Sequence, residues 1–200
     1  KTGAVYRKTN HTYRPALATG KYRLTLDISS WDMSVGSMLF DAAGGPTGGT
    51  RVAALKLDSS DQNGTRLQAI IKSAASESGG YQYIAVNLAD SGTTPFSAYI
   101  EFDLDNDTAE FVVDDTVIGS VTDLDSADLT MLKFSQDSNF VGINEIKIAS
   151  MGLYSVPDTT TDTDGDGVAD YYETNTGTWV SATDTGTDPN NTDTDSDTLS

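Results

Sequence analysis

The stretch Tyr22-Arg23-Leu24-Thr25-Leu26-Asp27-Ile28 alternates large apolar residues with polar residues along its whole length. Successive side chains of a β-strand point to opposite faces of a sheet, so this alternation predicts a strand with one buried face and one solvated face. Such strands are typical of antiparallel sheets, which pack one face on a core and leave the other in water. The stretch therefore predicts a fold built on antiparallel sheets.

Short runs of the same kind recur along most of the chain. They lie at residues 37–42, 51–57, 65–72, 81–87, 97–104, 108–113, 129–135 and 144–153. Segments rich in Gly, Asp, Asn and Ser separate them, and Asp105-Asn106-Asp107 is typical of a hairpin turn. About ten short strands predict an all-β fold, an antiparallel β-sandwich of the jelly-roll type, for residues 1–156. Residues 65–75 fit a helix as well as a strand, and that choice stays open.

Charge is distributed unevenly along the 200 residues. The sequence has 30 acidic and 12 basic residues, a net charge of −18, and no cysteine. Eleven of the acidic residues and none of the basic ones lie in residues 157–200. This break in composition at Pro157 predicts a domain boundary, with a second, loop-rich domain at 157–200. The negative charge argues against nucleic acid as a partner.

The segment Asp162-Thr163-Asp164-Gly165-Asp166-Gly167-Val168-Ala169-Asp170-Tyr171-Tyr172-Glu173 matches the calcium-loop pattern D-x-[DN]-x-[DN]-G-x5-E. Ca²⁺ takes oxygen ligands from carboxylates at positions 1, 3, 5, 9 and 12 and from the carbonyl of position 7, and a glycine at position 6 permits the bend. The predicted Ca²⁺ ligands are Asp162, Asp164, Asp166, Val168, Asp170 and Glu173. The alternative is an acidic, disordered linker, which has no need to keep the glycine and the glutamate in register.

The residues around this loop indicate which class of calcium module it is. Pro157 and the β-branched residues after it are poor helix formers, so the entering helix of an EF-hand is not predicted. Further along, Asp193, Asp195 and Asp197 restart the spacing, with Thr198 where glycine is expected. The two segments together resemble the thrombospondin type-3-like repeats of bacterial secreted and surface proteins. The resemblance implies an exported protein and a truncated second repeat that adds these three aspartates as Ca²⁺ ligands.

Residues 1–156 resemble the concanavalin A-like and laminin G-like sandwiches that occur beside such repeats. A sugar-binding surface on a sandwich needs exposed aromatic rings, which stack on sugar rings beside polar groups that bond the hydroxyls. The candidate ligand-binding residues are Trp31, Tyr81 and Tyr83, and the two tyrosines point the same way if residues 81–87 form a strand. The alternatives are that Trp31 plugs the end of the core and that the tyrosines only pack across strands.

No catalytic constellation is apparent in the sequence. His11 is the single histidine and fits a solvated loop, there is no cysteine, and no G-x-S-x-G elbow occurs. Glu101 and Asp103 share one strand face, but Asp105 and Asp107 continue the series, which favours a solvated acidic face over a glycosidase pair. We therefore predict that the chain is not an enzyme and has no catalytic residues.

Two further groups of acidic residues are candidates for a second calcium site within the sandwich. They are Asp103, Asp105 and Asp107, and Asp123, Asp125 and Asp128. Turn chemistry explains both groups without a metal, because aspartate side chains bond their own backbone in turns.

These features predict a non-catalytic carbohydrate-binding module of a secreted or surface-attached bacterial protein, with polysaccharide as partner and a spacer rigidified by Ca²⁺. One alternative is a structural or adhesive surface domain on a calcium-stiffened stalk, and another is a small sandwich lyase or hydrolase. No run of residues is long and apolar enough for membrane insertion. Since the sequence starts at Lys1 and stops inside a repeat, we expect it to be part of a longer multidomain chain.

Overall fold

The computed structural model describes residues 10–17, 19–33, 37–44, 50–59, 64–75, 80–125, 129–136 and 143–194, without the side chains of 10–16, 136, 143 and 144. The chain divides into two compact units, Lys1–Ser155 and Val156–Ser200. Within the described ranges, no helix has the length and apolar character that crossing a membrane requires.

Twelve strands and one short 3₁₀-helix make up the regular structure of the described residues. The first six strands are β1 (Asn10–Leu17), β2 (Lys21–Met33), β3 (Ser37–Gly44), β4 (Thr50–Asp58), β5 (Arg66–Lys72) and β6 (Tyr81–Asn87). The other six are β7 (Ser91–Gly92), β8 (Phe96–Asp103), β9 (Thr108–Val113), β10 (Thr116–Val121), β11 (Leu129–Gln136) and β12 (Ile143–Val156). The 3₁₀-helix spans Asp170–Tyr172 in the C-terminal unit.

The strands form two six-stranded sheets. Sheet A has the order β1-β11-β3-β4-β5-β6, and sheet B has the order β10-β9-β8-β2-β12, with β7 paired to β2. Every strand pairing whose register is described is antiparallel. The prediction of an all-β antiparallel sandwich is therefore confirmed.

Strand β2 shows why the alternating pattern forms this fold. Leu24, Leu26 and Ile28 are at most 1% exposed, and the polar residues between them lie on the other face. Their partners across the sheet are Ile100, Ala98 and Phe96 of β8. The core between the sheets also receives apolar side chains from sheet A, among them Phe40, Leu55, Leu57, Leu67 and Ile71. Burial of this apolar area is the main force that holds the two sheets together.

The predictions for individual strands and turns are confirmed in some places and incomplete in others. The hairpin at Asp105-Asn106-Asp107 is confirmed, because Asp103 of β8 pairs with Thr108 of β9 across it. The open choice at residues 65–75 resolves as strand β5, since Leu67, Ala69 and Ile71 point into the core while the alternate residues do not. Strands β1, β7 and β10 were not predicted.

Candidate functional site

The outer face of sheet A consists of the side chains that point away from sheet B. The backbone register places residues of neighbouring strands in rows across this face, such as Lys133, Asp41, Ala54, Ile70 and Tyr83. Other described residues of the face are Leu39 of β3, Ser135 of β11, Arg51, Lys56 and Asp58 of β4, Arg66, Gln68 and Lys72 of β5, and Tyr81, Ala85 and Asn87 of β6. Unlike a typical solvated face, it has a buried floor, because Ala54 is 0% and Ile70 4% exposed although neither belongs to the core cluster.

Asp41 is the centre of one charged cluster on this face. Its carboxylate is buried and accepts two hydrogen bonds from the Arg51 guanidinium, one from Nε and one from Nη2. The distance from Nη2 to Oδ2 is 3.2 Å. The Lys133 Nζ lies 3.9 Å from the same carboxylate. Burial lowers the pKa of Arg51, but the hydrogen bond and charge of Asp41 outweigh it, so the pKa is raised and the guanidinium stays charged.

Asp58 organises a second cluster in the same way. The Lys56 Nζ lies 2.6 Å and the Arg66 Nη2 3.8 Å from its buried carboxylate. A third ion pair joins Lys72 to Asp125 at 2.5 Å. Ion pairs with a buried partner hold their cations in fixed positions more strongly than pairs between two exposed side chains.

The two candidate tyrosines lie on this face, in the edge strand β6. Tyr83 is 54% exposed, which leaves its ring available for stacking. Tyr81 is half-buried, and the Arg51 guanidinium carbon lies 5.9 Å from the centroid of its ring. The strand thus places both rings beside the charged clusters, on the side that sequence alternation indicates.

Trp31 lies elsewhere and in a different environment. It is 9% exposed, its Nε1 donates a hydrogen bond to the Ala89 carbonyl at 2.8 Å, and its ring packs edge-on against Phe96 at 5.2 Å. This is the core-plugging position given above as the alternative for Trp31. A ring buried in this way does not offer a face to a sugar, so the site is built from the two tyrosines alone.

A second candidate site lies in the acidic loop of the C-terminal unit. Asp162, Asp164 and Asp166 each offer a carboxylate oxygen, and these oxygens lie within 4.8 Å of one another. The Gly165 and Gly167 amides donate to the two oxygens of Asp162 at 2.7 and 3.0 Å. Both glycines have positive φ, 80° and 96°, a backbone conformation that residues other than glycine rarely adopt. The glycines therefore let the backbone curl around the carboxylates.

Glu173, the last residue of this loop, is buried without a partner. The residue is 5% exposed, and neither of its carboxylate oxygens has a hydrogen-bond partner among the described residues. Burial raises its pKa, the nearby Thr187 hydroxyl lowers it without reaching hydrogen-bond geometry, and the charges of Asp166, Asp164 and Asp170 raise it further. No lysine, arginine or histidine follows Lys147 in the sequence, so the unit has no basic residue to pair with Glu173. A buried carboxylate without a partner is costly, and a bound cation removes that cost.

Other predicted ligands have different environments. Both oxygens of Asp170 accept hydrogen bonds from Thr163, at 2.7 Å from the amide and 2.6 Å from the hydroxyl, so Asp170 braces the loop. The Val168 amide donates to Asp166 at 2.7 Å. Asp193 is described, but it is not part of the three-aspartate cluster. Asp195 and Asp197 lie outside the described residues.

Several acidic residues of the sandwich have hydrogen-bond partners of their own, and only those of Asp103 lie within its own turn. Asp103 accepts hydrogen bonds from the Asp105 amide and from the amide and side chain of Asn106. Asp123 accepts from the Ser73 hydroxyl and the Ala75 amide. Asp128 and the side chain of His11 lie outside the described part of the chain.

Comparisons with solved structures show that the sandwich shares its fold with a carbohydrate recognition domain and with polysaccharide lyases. The Emp47p carbohydrate recognition domain matches it with a TM-score of 0.54 and 11% identity, over 77% of this chain and 81% of that one. The alginate lyase from Alteromonas sp. 272 matches with a TM-score of 0.50 and 11% identity, over 78% and 82%. A polysaccharide lyase of family 18 also matches at 0.50, with 12% identity over 77% and 82%. No family model and no curated protein sequence matches the chain.

These matches correct the prediction that the chain is not an enzyme. Two of the solved structures that share its fold are polysaccharide lyases, so this fold carries catalysis as well as binding. The prediction rested on motifs that are contiguous in sequence. The outer face of sheet A brings Arg51, Lys133 and Tyr81 together from three strands, which no contiguous motif reveals. The only sequence signal was the alternation of charged and apolar residues in 51–58 and 66–72.

Proposed function

We propose that the sandwich recognises carbohydrate on the outer face of sheet A. The observation that carries this proposal is Tyr83, an exposed ring at the edge of a face that also carries polar side chains held by ion pairs. An exposed ring stacks on the apolar face of a sugar, and fixed polar groups orient its hydroxyls. The likeness to the Emp47p carbohydrate recognition domain supports a sugar as ligand.

The test compares two exposed tyrosines on different sheets. Tyr83→Ala is expected to weaken binding to a retained polysaccharide about tenfold or more, since stacking contacts at hot spots contribute more than 1 kcal/mol. Tyr154→Ala is the matched control, because Tyr154 is 51% exposed and lies in β12 of sheet B. Affinity electrophoresis in gels containing single polysaccharides measures both variants. Equal retardation of the two variants would contradict the assignment of the face.

The C-terminal unit supplies the second part of the proposal, a Ca²⁺ site in a thrombospondin type-3-like repeat. Asp162, Asp164, Asp166 and Glu173 would hold the ion, and the Thr163–Asp170 hydrogen bonds would brace the loop around it. The buried, unpartnered Glu173 carboxylate and the absence of basic residues in 157–200 support a cation here. A site with millimolar or tighter affinity suits an extracellular location, so we place the protein outside a bacterial cell, as a secreted or surface polysaccharide-associated protein.

Cleavage of the bound polysaccharide is the second candidate function. The alginate lyase and the family 18 lyase share the fold at a TM-score of 0.50. The outer face of sheet A also carries Tyr81, a potential proton acceptor, beside the charged Arg51. Ultraviolet absorbance detects the unsaturated products of a lyase. If the protein releases such products and Tyr81→Phe does not, catalysis replaces simple binding as the function.

A further inference from the structure

Basic side chains are concentrated on the outer face of sheet A. The described part of the chain shows the side chains of eight basic residues, and five of them lie on this one face: Arg51, Lys56, Arg66, Lys72 and Lys133. Only two acidic side chains, Asp41 and Asp58, lie among them on the described strands of the face. Asp125 adds a third negative charge where it contacts Lys72. A chain with a net charge of −18 thus has a face with an excess of positive charge.

The difference in burial between acidic and basic side chains adds to the positive character of this face. The side chains of Asp41 and Asp58 are 3% exposed, whereas the five basic side chains are 21% to 33% exposed. The acidic side chains of Asp41 and Asp58 are therefore closer to the sheet, and the basic side chains are closer to the solvent. At Asp41 two cations, Arg51 and Lys133, contact one carboxylate, which leaves one positive charge in excess. A ligand that approaches this face meets nitrogen donors before it meets carboxylates.

The outer face of sheet B has the opposite character. On strands β2, β8 and β9, it carries Asp27, Glu101, Asp103 and Glu110 against Lys21 and Arg23. Arg23 there pairs with the partly exposed Glu101 at 2.5 Å, and Lys21 lies 3.6 Å from the buried Asp103. The positive charge of sheet A is thus a local feature, and it is not a general property of the surface.

We infer that the outer face of sheet A binds an anionic polysaccharide, whose carboxylate or sulfate groups contact Lys56, Lys133 and Lys72. This inference rests on the proposed carbohydrate-binding function and adds the charge class of the ligand. Lysine ammonium groups are mobile point charges that suit exposed anionic groups on a flexible chain. An anion that approaches a face with an excess of positive charge gains Coulomb energy, and the field of that face steers it there.

The spacing of the two clusters favours a polymer over a single sugar. Asp41 pairs with Ala54, and Asp58 lies four residues further along β4. At about 3.3 Å per residue, the clusters are separated by roughly 13 Å along the strand. A single monosaccharide does not span that distance, whereas a chain with charged groups at intervals contacts both clusters. Tyr83 lies at the edge of the face, in the same cross-strand row as Asp41, and supplies a stacking surface level with the first cluster.

The first arm of the test varies the ligand on the whole chain. Calorimetry at low ionic strength compares an oligouronate with the same oligosaccharide after reduction of its carboxylates to alcohols. Dextran sulfate and dextran form a second matched pair, and polyphosphate reports non-specific attraction. We expect at least about tenfold tighter binding of the charged member of a pair, with affinity falling as salt rises. The pair that shows the difference identifies carboxylate or sulfate as the recognised group.

The second arm varies the protein. Lys56→Gln combined with Lys133→Gln leaves Arg66 beside Asp58 and Arg51 beside Asp41, so neither buried acid loses all its partners. This variant is expected to lose about tenfold in affinity, while Lys147→Gln, on sheet B, changes nothing. Lys72→Gln provides the same test if the double variant does not fold, because its partner Asp125 is 46% exposed and tolerates the loss.

The outcomes separate this inference from the proposed function. Binding of charged and uncharged glycans with equal affinity overturns the inference and leaves carbohydrate recognition intact. Binding of no glycan in either pair, or in a panel of neutral polysaccharides, overturns both. Equal binding of polyphosphate and the charged glycans, with the same dependence on Lys56 and Lys133, also overturns the inference, because the face would then be a general anion-binding surface.

Discussion

The two units of this chain are ordered by opposite means. The sandwich buries a large set of apolar side chains between its sheets, whereas no apolar side chain is buried in the described residues 156–194. In that second range, the buried side chain is a carboxylate, that of Glu173. An apolar core needs no partner, but a buried carboxylate beside other carboxylates stays charged at low cost only when a counter-ion balances it, and otherwise takes up a proton. We therefore expect the two units to respond to different conditions, although one chain carries both.

Removal of Ca²⁺ is expected to have the largest effect and to separate the units. Chelation leaves Asp162, Asp164, Asp166 and Glu173 without a counter-ion, so residues 158–194 should lose their order while the sandwich stays folded. Limited proteolysis with and without a chelator measures this as rapid cleavage in the tail only. A tenfold excess of Ca²⁺ over its dissociation constant corresponds to about 1.4 kcal/mol of stabilisation. Equal protease resistance under both conditions would break the comparison.

Deletion of a core ring is expected to have the converse effect. Phe111 is fully buried between the sheets, so Phe111→Ala should lower the free energy of unfolding of the sandwich by about 3–5 kcal/mol. Denaturant unfolding followed by tyrosine and tryptophan fluorescence gives this value. Val117→Ala is the control, because Val117 is 54% exposed and its loss should change stability by about 0.5 kcal/mol or less. The Ca²⁺ affinity of the Phe111 variant should be unchanged, and a large change would show that the units depend on each other.

Neutralisation of Glu173 is expected to have two effects of opposite sign. Glu173→Gln removes one charged ligand and should weaken Ca²⁺ binding about tenfold or more. In the absence of calcium the same variant should be better ordered than the wild type, because it no longer buries a charge. Calcium titrations and hydrogen exchange of residues 158–194 measure the two effects. Asp184→Asn is the control, since Asp184 accepts a hydrogen bond from Thr174 and lies outside the loop. A variant less ordered than wild type without calcium would contradict the role of the buried charge.

Loss of a surface ion pair on the sandwich is expected to have the smallest effect. The Arg23 side chain is 44% exposed, so Arg23→Gln should cost less than about 1 kcal/mol despite the 2.5 Å contact with Glu101. Thermal unfolding of the sandwich measures this cost. A loss as large as that of Phe111→Ala would mean that charge, as well as apolar burial, holds the sandwich together.

Local pattern was sufficient to predict much of the fold. The alternation in β2 and the turn at Asp105-Asn106-Asp107 are both encoded within a few residues, and both are confirmed. Strand β10 was missed because its Val117 and Ile118 are exposed and its residues do not alternate in polarity. The hairpin that leads into it uses Asp114 and Asp115, both with positive φ, in place of the usual glycine.

The candidate sites show the limit of contiguous patterns. The acidic loop is one segment of sequence, so its spacing alone predicts that Asp162, Asp164 and Asp166 form a cluster. The structure places their carboxylate oxygens together. That Thr163 engages Asp170 depends on side-chain geometry, which the spacing does not contain. The outer face of sheet A depends on the register of four strand pairings, from β11 to β6. A change of one residue in any register would send a row to the other face. Alternation within one strand therefore predicted Tyr81 and Tyr83 together, but not the charged clusters that lie beside them.

Calcium titration of the chelator-treated chain by isothermal calorimetry tests the central claim most directly. We expect saturable binding of at least one ion, with the heat strongly reduced in Asp164→Ala and unchanged in Asp184→Asn. A titration without saturable binding would contradict the claim that a cation orders the C-terminal unit, and the extracellular assignment that depends on it would fall as well.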